Sequence, residues 1–389
     1  MKTKSIIVFV GLLLLLSGCS KREVMTEKER VGTQYAQFFA IEQRDTISGT
    51  EHITEPYDTI SGTEHTFTEL RIYNPWEPER PVLQRYYLCR DATTPVPSDG
   101  IRVQVPVERI ATGSCTHVGF VSALCATDAL CGVTDKHLVF TPLPNTVTNL
   151  GDCISPDAER FMAAQPDLVF MSAYSTNDAA TARLQKVGLT IVPVMEWVEN
   201  DPVGRAEWVR FFGAFLDKQQ EADSLFLQVA SRYANQCKLV THSGLAFSRS
   251  ILSGGSFRGT WYVPSGSTYM GRLFHDAGAR YAYAEDRTNG SVPLGMEQVL
   301  QSFREADVWV GAPANTMDEL RQMDIKHTWF KAYQDSCVYT FNARVTPTGG
   351  NDFWEAGVCE PDVILSDLIA ALYPSLLGDY KPKYLYKLR

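Results

Sequence analysis

Twice along this chain, short apolar runs alternate with amphipathic segments, and a long helical stretch separates the two series. In the first series, residues 109–112, 130–134, 167–172 and 190–194 read as strands, with helical spacing over 116–126, 156–164 and 177–187 between them. Strands that alternate with helices in this way pair in parallel, because a parallel connection needs a crossover and the crossover helices then cover the sheet. Local punctuation agrees. Ser155 and Pro156 are expected as N-cap and first helical residue, and Gly188 follows the last periodic position of its helix.

The second series places strands at 250–253, 307–311 and 337–341, and helices at 267–277, 294–305, 316–323 and 361–372. Between the two, Asp201 and Pro202 open one helix, and Asp217 with Gln220 resembles a capping box that starts a longer one reaching about residue 237. Ala222, Leu225, Phe226, Val229, Ala230 and Tyr233 hold a 3.6-residue spacing along it, which predicts a rigid link. The expected fold is α/β, with two lobes (residues 105–200 and 241–389) joined by linking helices over 201–240.

The chain begins with a secretory pattern. A short cationic start precedes an apolar run, then Leu16-Ser17-Gly18-Cys19. The run is shorter than a bilayer span, so residues 1–18 are expected as a signal peptide. Leu-Ser-Gly-Cys resembles the bacterial lipobox, which makes Cys19 the lipidated N-terminus of an exported protein facing the periplasm, held on the membrane by its acyl chains. Residues 19–104 are expected to form a tether and a β extension. Asp45-Thr-Ile-Ser-Gly-Thr-Glu-His52 recurs as Asp58-Thr-Ile-Ser-Gly-Thr-Glu-His65, a duplicated loop, and period-two alternation follows up to residue 107. A net charge of −9 argues against a nucleic-acid partner, since such binding rests on neutralising phosphates with Lys and Arg. Eight further cysteines include no CxxC pair, so zinc and redox readings get little support and disulfide pairing stays open.

Several motifs in order resemble one family. They are Arg109-Ile-Ala-Thr-Gly-Ser-Cys-Thr-His117, Leu130-Cys-Gly-Val-Thr-Asp135, Ser155-Pro-Asp-Ala-Glu159, Gly259-Thr-Trp-Tyr-Val-Pro-Ser-Gly-Ser-Thr-Tyr269, Ser291-Val-Pro-Leu-Gly-Met-Glu-Gln-Val-Leu300 and Asn351-Asp-Phe-Trp-Glu-Ala-Gly357. Together they are similar to the iron-complex and cobalamin class of substrate-binding proteins of ABC importers. That resemblance implies that the two lobes are Rossmann-like and bridged by a long rigid helix, with no chemistry and no cofactor. It implies capture of a ferric siderophore, haem or cobalamin between the lobes, by a monomer that delivers it to a permease dimer with its ATPase subunits. It also implies one glutamate per lobe meeting permease arginines, here Glu159 and Glu297. For the ligand itself, residues after strand ends are the candidates: His117, Tyr174, Trp197, Arg258, Trp261, Tyr262, Arg344, Phe353 and Trp354. Flat aromatics stack on planar chelates, and Arg pairs with carboxylates or anionic chelate oxygens.

Two alternatives stand beside this reading. A zinc or manganese importer component needs about three histidines and a carboxylate on one ion, and the histidines here are scattered singly. An exported hydrolase would use Cys115 as nucleophile with His117, or His137 and Asp135, as base; but Cys115 and His117 sit two apart at a helix start, where side chains do not face each other.

Overall fold

The computed structural model describes residues 33–46 and 65–389, apart from 177 and 289. The signal segment, Cys19 and most of the duplicated loop lie outside the described residues. Among the described residues, no helix is long and apolar enough to cross a membrane.

The first described segment leads into four strands, β1 (Phe39–Thr46), β2 (His65–Tyr73), β3 (Val82–Cys89) and β4 (Ile101–Gln104), in sheet order β1-β2-β3-β4. The alternation gives each face a separate task. On one face of the sheet Glu69 is buried and takes Arg44 at 2.6 Å and Arg85 at 2.8 Å. On the other, Phe39 packs on Trp208 and Tyr86 on Phe215, both in the linking stretch 201–240. Strand β1 was not foreseen, because its charged outer face reads as loop.

The first lobe contains β5 (Ile110–Thr112), β6 (Leu130–Val133), β7 (Thr148–Asn149), β8 (Leu168–Ser172) and β9 (Ile191–Val194). They form one parallel sheet in the order β7-β6-β5-β8-β9. Helices α1 (Cys115–Ala123), α2 (Ala158–Ala164) and α3 (Ala179–Lys186) make the crossovers. All five residues of β8 are buried, as expected of a strand covered on both faces. Asp157, not Ser155, caps α2 by accepting from the Glu159 amide at 3.0 Å.

Helices α4 (Pro202–Phe215) and α5 (Gln219–His242) follow. Every residue of α4 except Arg205 is buried. It packs on α1 of the first lobe and also reaches the second lobe, so the junction is a helical hairpin with α4 at its centre. The expected stripe on α5 is buried, Leu225 only partly. The capping box is not formed. Lys218 occupies the N-cap, and Asp217 adopts φ +56° and binds Arg90 of the extension at 2.7 Å.

The second lobe has β10 (Arg249–Ser253), a meander of β11 (Ser256–Phe257), β12 (Thr260–Pro264) and β14 (Ser291–Leu294), then β13 (Ala279–Arg280), β15 (Val308–Val310), β16 (Tyr339–Thr340) and β17 (Tyr386–Lys387). Its parallel sheet runs β13-β10-β15, extended by a parallel bridge from Trp309 to Val338. Helices α6 (Tyr269–Asp276), α7 (Met296–Phe303), α8 (Met317–Met323), α9 (Lys331–Gln334) and α10 (Pro361–Leu372) complete it. The eight described cysteines are all free thiols.

Candidate functional site

In each lobe the chain leaves its first strand in both directions across the sheet. The first lobe therefore has a switch point between β5 and β8, and the second between β10 and β15. Crevices at such points, beyond the strand carboxyl ends, are where open α/β sheets take ligands. Here the carboxyl-end segments of the two lobes meet. Glu355 of the second lobe accepts hydrogen bonds from the amides of Phe140 (2.6 Å) and Thr141 (2.8 Å), just beyond β6. Arg344 stands 5.0 Å over the Phe140 ring while its Nε donates to Asp352 at 2.6 Å. A Cβ on Gly119 of α1 would come within 2.1 Å of the Glu355 carbonyl oxygen, so only glycine permits that approach.

On the first-lobe wall, Tyr174 follows β8 and Trp197 follows β9. Their rings lie 5.5 Å apart, 60% and 39% exposed. Trp197 is fixed by its Nε1, which donates to the Ala173 carbonyl at 3.2 Å. Beside it in sequence, Glu196 is buried, with Oε1 3.8 Å from Arg205 and no hydrogen-bond partner for Oε2 among the described residues. Arg205 in turn stacks 4.5 Å over Tyr269 of the second lobe. Glu196, Arg205 and Tyr269 escaped the sequence reading, and a charged pair flanking the Asp201 helix start was the available signal.

On the second-lobe side, Arg258 and Gly259 both have positive φ (53° and 83°), the requirement of a two-residue type I′ hairpin turn between β11 and β12. The hairpin presents Phe257, 63% exposed, with the Arg258 guanidinium 5.1 Å over its ring. Strand parity then separates the neighbouring aromatics. Tyr262 is exposed with Phe257, whereas Trp261 points inward, donates to the Ser253 carbonyl at 2.9 Å and packs on Trp309, His327 and Phe330. Trp354 is exposed, but Phe353 is buried and stacks on Phe341 at 4.1 Å.

Among the nine ligand candidates, Tyr174, Trp197, Arg258, Tyr262, Arg344 and Trp354 therefore have surface open to solvent, and His117, Trp261 and Phe353 are core residues. His117 lies beneath the first switch point, its Nε2 3.4 Å from Ser172 Oγ and its ring against Phe212. Burial pushes its pKa down, against the opposing pull of Glu196. The Cys115 thiol is pushed up to about 11, by burial first and then by the charges of Glu355 and Glu196. A thiol held protonated is a poor nucleophile. Its sulfur contacts the Trp354 carbonyl, and His137 is exposed. Among the described residues, no group of three His, Cys, Asp or Glu side chains is placed to hold a metal ion.

Glu159 and Glu297 are both exposed in the first turns of α2 and α7. Crossover helices run antiparallel to their strands, so these turns lie at the same end of each lobe as the strand carboxyl ends.

Residues 110–345 match the periplasmic binding protein family. Two uncharacterized lipoproteins of Methanocaldococcus jannaschii are each 23% identical, over 77% of this chain and 75% and 78% of their own lengths. Among solved structures, a periplasmic heme binding protein from Pseudomonas aeruginosa superposes with TM-score 0.56 at 18% identity, covering 73% of this chain and 98% of that one. The triscatecholate siderophore binding protein FeuA from Bacillus subtilis gives 0.56 at 14%, covering 71% and 96%. The molybdate binding protein MolA from Haemophilus influenzae gives 0.55 at 18%, covering 71% and 89%. With the matched region running from β5 to just beyond β16, across the switch point of each lobe, this chain belongs to the periplasmic binding protein family.

Proposed function

We propose that this protein is a membrane-anchored solute-binding component that captures a metal chelate (a ferric siderophore, haem or cobalamin) between its lobes and delivers it to an ABC importer permease. One observation carries the reading. Beyond β8 and β9 a solvent-open aromatic pair, Tyr174 and Trp197, stands on one lobe, while the other lobe presents Phe257, Arg258 and Tyr262 from the β11–β12 hairpin that follows β10, and Trp354 from the segment beyond β16. Planar rings with few free cations suit a flat or aromatic-rimmed ligand that is held largely by stacking. Similar structures include proteins described as binding heme and a triscatecholate siderophore, which supports the same ligand class.

Delivery rests on Glu159 and Glu297. Exposed carboxylates at the cleft end of each lobe set register and encounter rate with a basic partner more than affinity. A titration followed by intrinsic Trp fluorescence, against cyanocobalamin, haemin and a ferric siderophore panel, is expected to show sub-micromolar binding of one class, better than about −8 kcal/mol. Folded protein that binds none of them refutes the capture reading. The double variant Glu159→Ala, Glu297→Ala is expected to keep that affinity and lose uptake in cells; surviving uptake refutes the docking assignment alone.

A further inference from the structure

The four-stranded extension precedes the family-matched region, and two sets of its contacts fall on the loops that carry the aromatic wall. Two residues beyond Tyr174, the hydroxyl oxygen of Thr176 accepts a hydrogen bond from Asn74 Nδ2 at 3.1 Å. Two residues beyond Trp197, the carboxylate of Glu199 accepts the amides of Gln37 (2.9 Å) and Phe38 (3.2 Å), and also Trp208 Nε1 at 3.1 Å. The loop bearing Asn74 is itself closed. The Asn74 amide donates to the Pro81 carbonyl, its Oδ1 accepts from the Trp76 amide, and its Nδ2 also reaches Glu77 at 3.0 Å. Arg80 ties that loop back to the first described segment, donating to Gln37 Oε1 at 2.7 Å and standing 5.1 Å over Phe38. The sheet behind is fixed in turn, since Tyr86 donates its hydroxyl to the Ile191 carbonyl at the start of β9.

From these contacts we infer that the N-terminal extension is a splint for the ligand wall: Asn74 and the segment at residues 37–38 position Tyr174 and Trp197 by holding the loops that carry them. The inference rests on the capture reading above for its ligand, and not for its geometry. Asn74, Thr176 and Glu199 are positioning residues that touch no ligand. Short loops beyond strand ends are otherwise the most mobile parts of such a lobe, and a stacking surface binds well only when its rings are preorganised. The extension supplies that order from outside the lobe.

Thr176 is the residue to change, because it is exposed and its replacement leaves the core untouched. Thr176→Val keeps the shape and removes the hydroxyl, and Thr176→Ser restores it. The full chain in lipid nanodiscs, with empty discs as control, is titrated with cyanocobalamin, haemin and ferric siderophores, and amide exchange is followed at residues 173–176. Thr176→Val is expected to speed exchange at that loop and to weaken the bound probe by roughly three- to tenfold at unchanged Tm, the scale of one hydrogen bond. Thr176→Ser is expected to behave as wild type. Unchanged exchange in Thr176→Val overturns the splint. Faster exchange with unchanged affinity overturns its role in binding. A wild type that takes up none of the probes refutes the capture reading instead, and the exchange result then decides the splint alone.

Discussion

Replacing Glu207 by glutamine tests how the start of the described chain is held. Its carboxylate is fully buried on α4, where Oε1 accepts from the Gln34 amide and from Arg210 Nη1, both at 2.8 Å. Oε2 accepts from the amides of Tyr35 and Ala36, also at 2.8 Å. Glutamine has nearly the same volume but only one acceptor oxygen. Whichever way its amide turns, two of the four donors meet an NH₂ group and lose their partner. A hydrogen bond to a charged group contributes about 1.5–3 kcal/mol, and water recovers part of the loss at the half-exposed Gln34 and Tyr35. A net weakening of about 3 kcal/mol results, close to a hundredfold in the local opening equilibrium. Because β1 remains paired and Phe39 remains packed on Trp208 at 4.9 Å, the opening is local. Hydrogen exchange with peptide-level mass spectrometry is expected to show residues 34–36 exchanging about a hundredfold faster, with α4 unchanged. Exchange at those amides within a few-fold of wild type refutes the account of Glu207 as their anchor.

Glu199 gives a pH dependence. Burial lifts its pKa from 4.5 to about 7, against the bonds from Gln37, Trp208 and Phe38, which lower it. The folded state thus holds a proton that the unfolded chain releases above about pH 4.5, so this group's contribution is fully present below that pH and is lost as pH rises through about 7. The loss is on the order of 3 kcal/mol, and melting curves between pH 5 and 9 are expected to fall more steeply for wild type than for Glu199→Gln; parallel curves refute it. Gly119→Ala forces a methyl group toward the Glu355 carbonyl oxygen, and overpacking of this kind costs about 1–3 kcal/mol, so calorimetry should show a lowered Tm. Trp197→Ala is expected to weaken whichever probe binds by about tenfold, while Trp261→Phe, a change in the core, leaves affinity unaltered. Equal effects of the two on affinity contradict the division of the tryptophans into wall and core.

The parallel strands were legible because burial on both faces writes them as apolar runs, and β8 shows this residue by residue. The same double burial hid the role of His117. When a helix is covered on both sides, its sequence no longer says which residues face solvent, and buried residues run continuously from Thr116 to Val121. Parity decided the Trp261 and Tyr262 pair, but only once the turn at Arg258 and Gly259 had fixed which residue starts β12. The placement of the N-terminal segment had a signal that went unread. Helix α4 is buried along nearly its whole length, yet it carries Glu207, and the buried Glu199 stands just before it. A carboxylate buried in such surroundings requires donors. Arg210 supplies one for Glu207 and Trp208 one for Glu199, which leaves most of their acceptor capacity open. Backbone amides not yet committed to a sheet are the natural complement, and the residues just before β1 are a run of them. Two buried glutamates with too few side-chain donors thus mark where the extension must cross the lobe, and that crossing brings it to the loops of Tyr174 and Trp197.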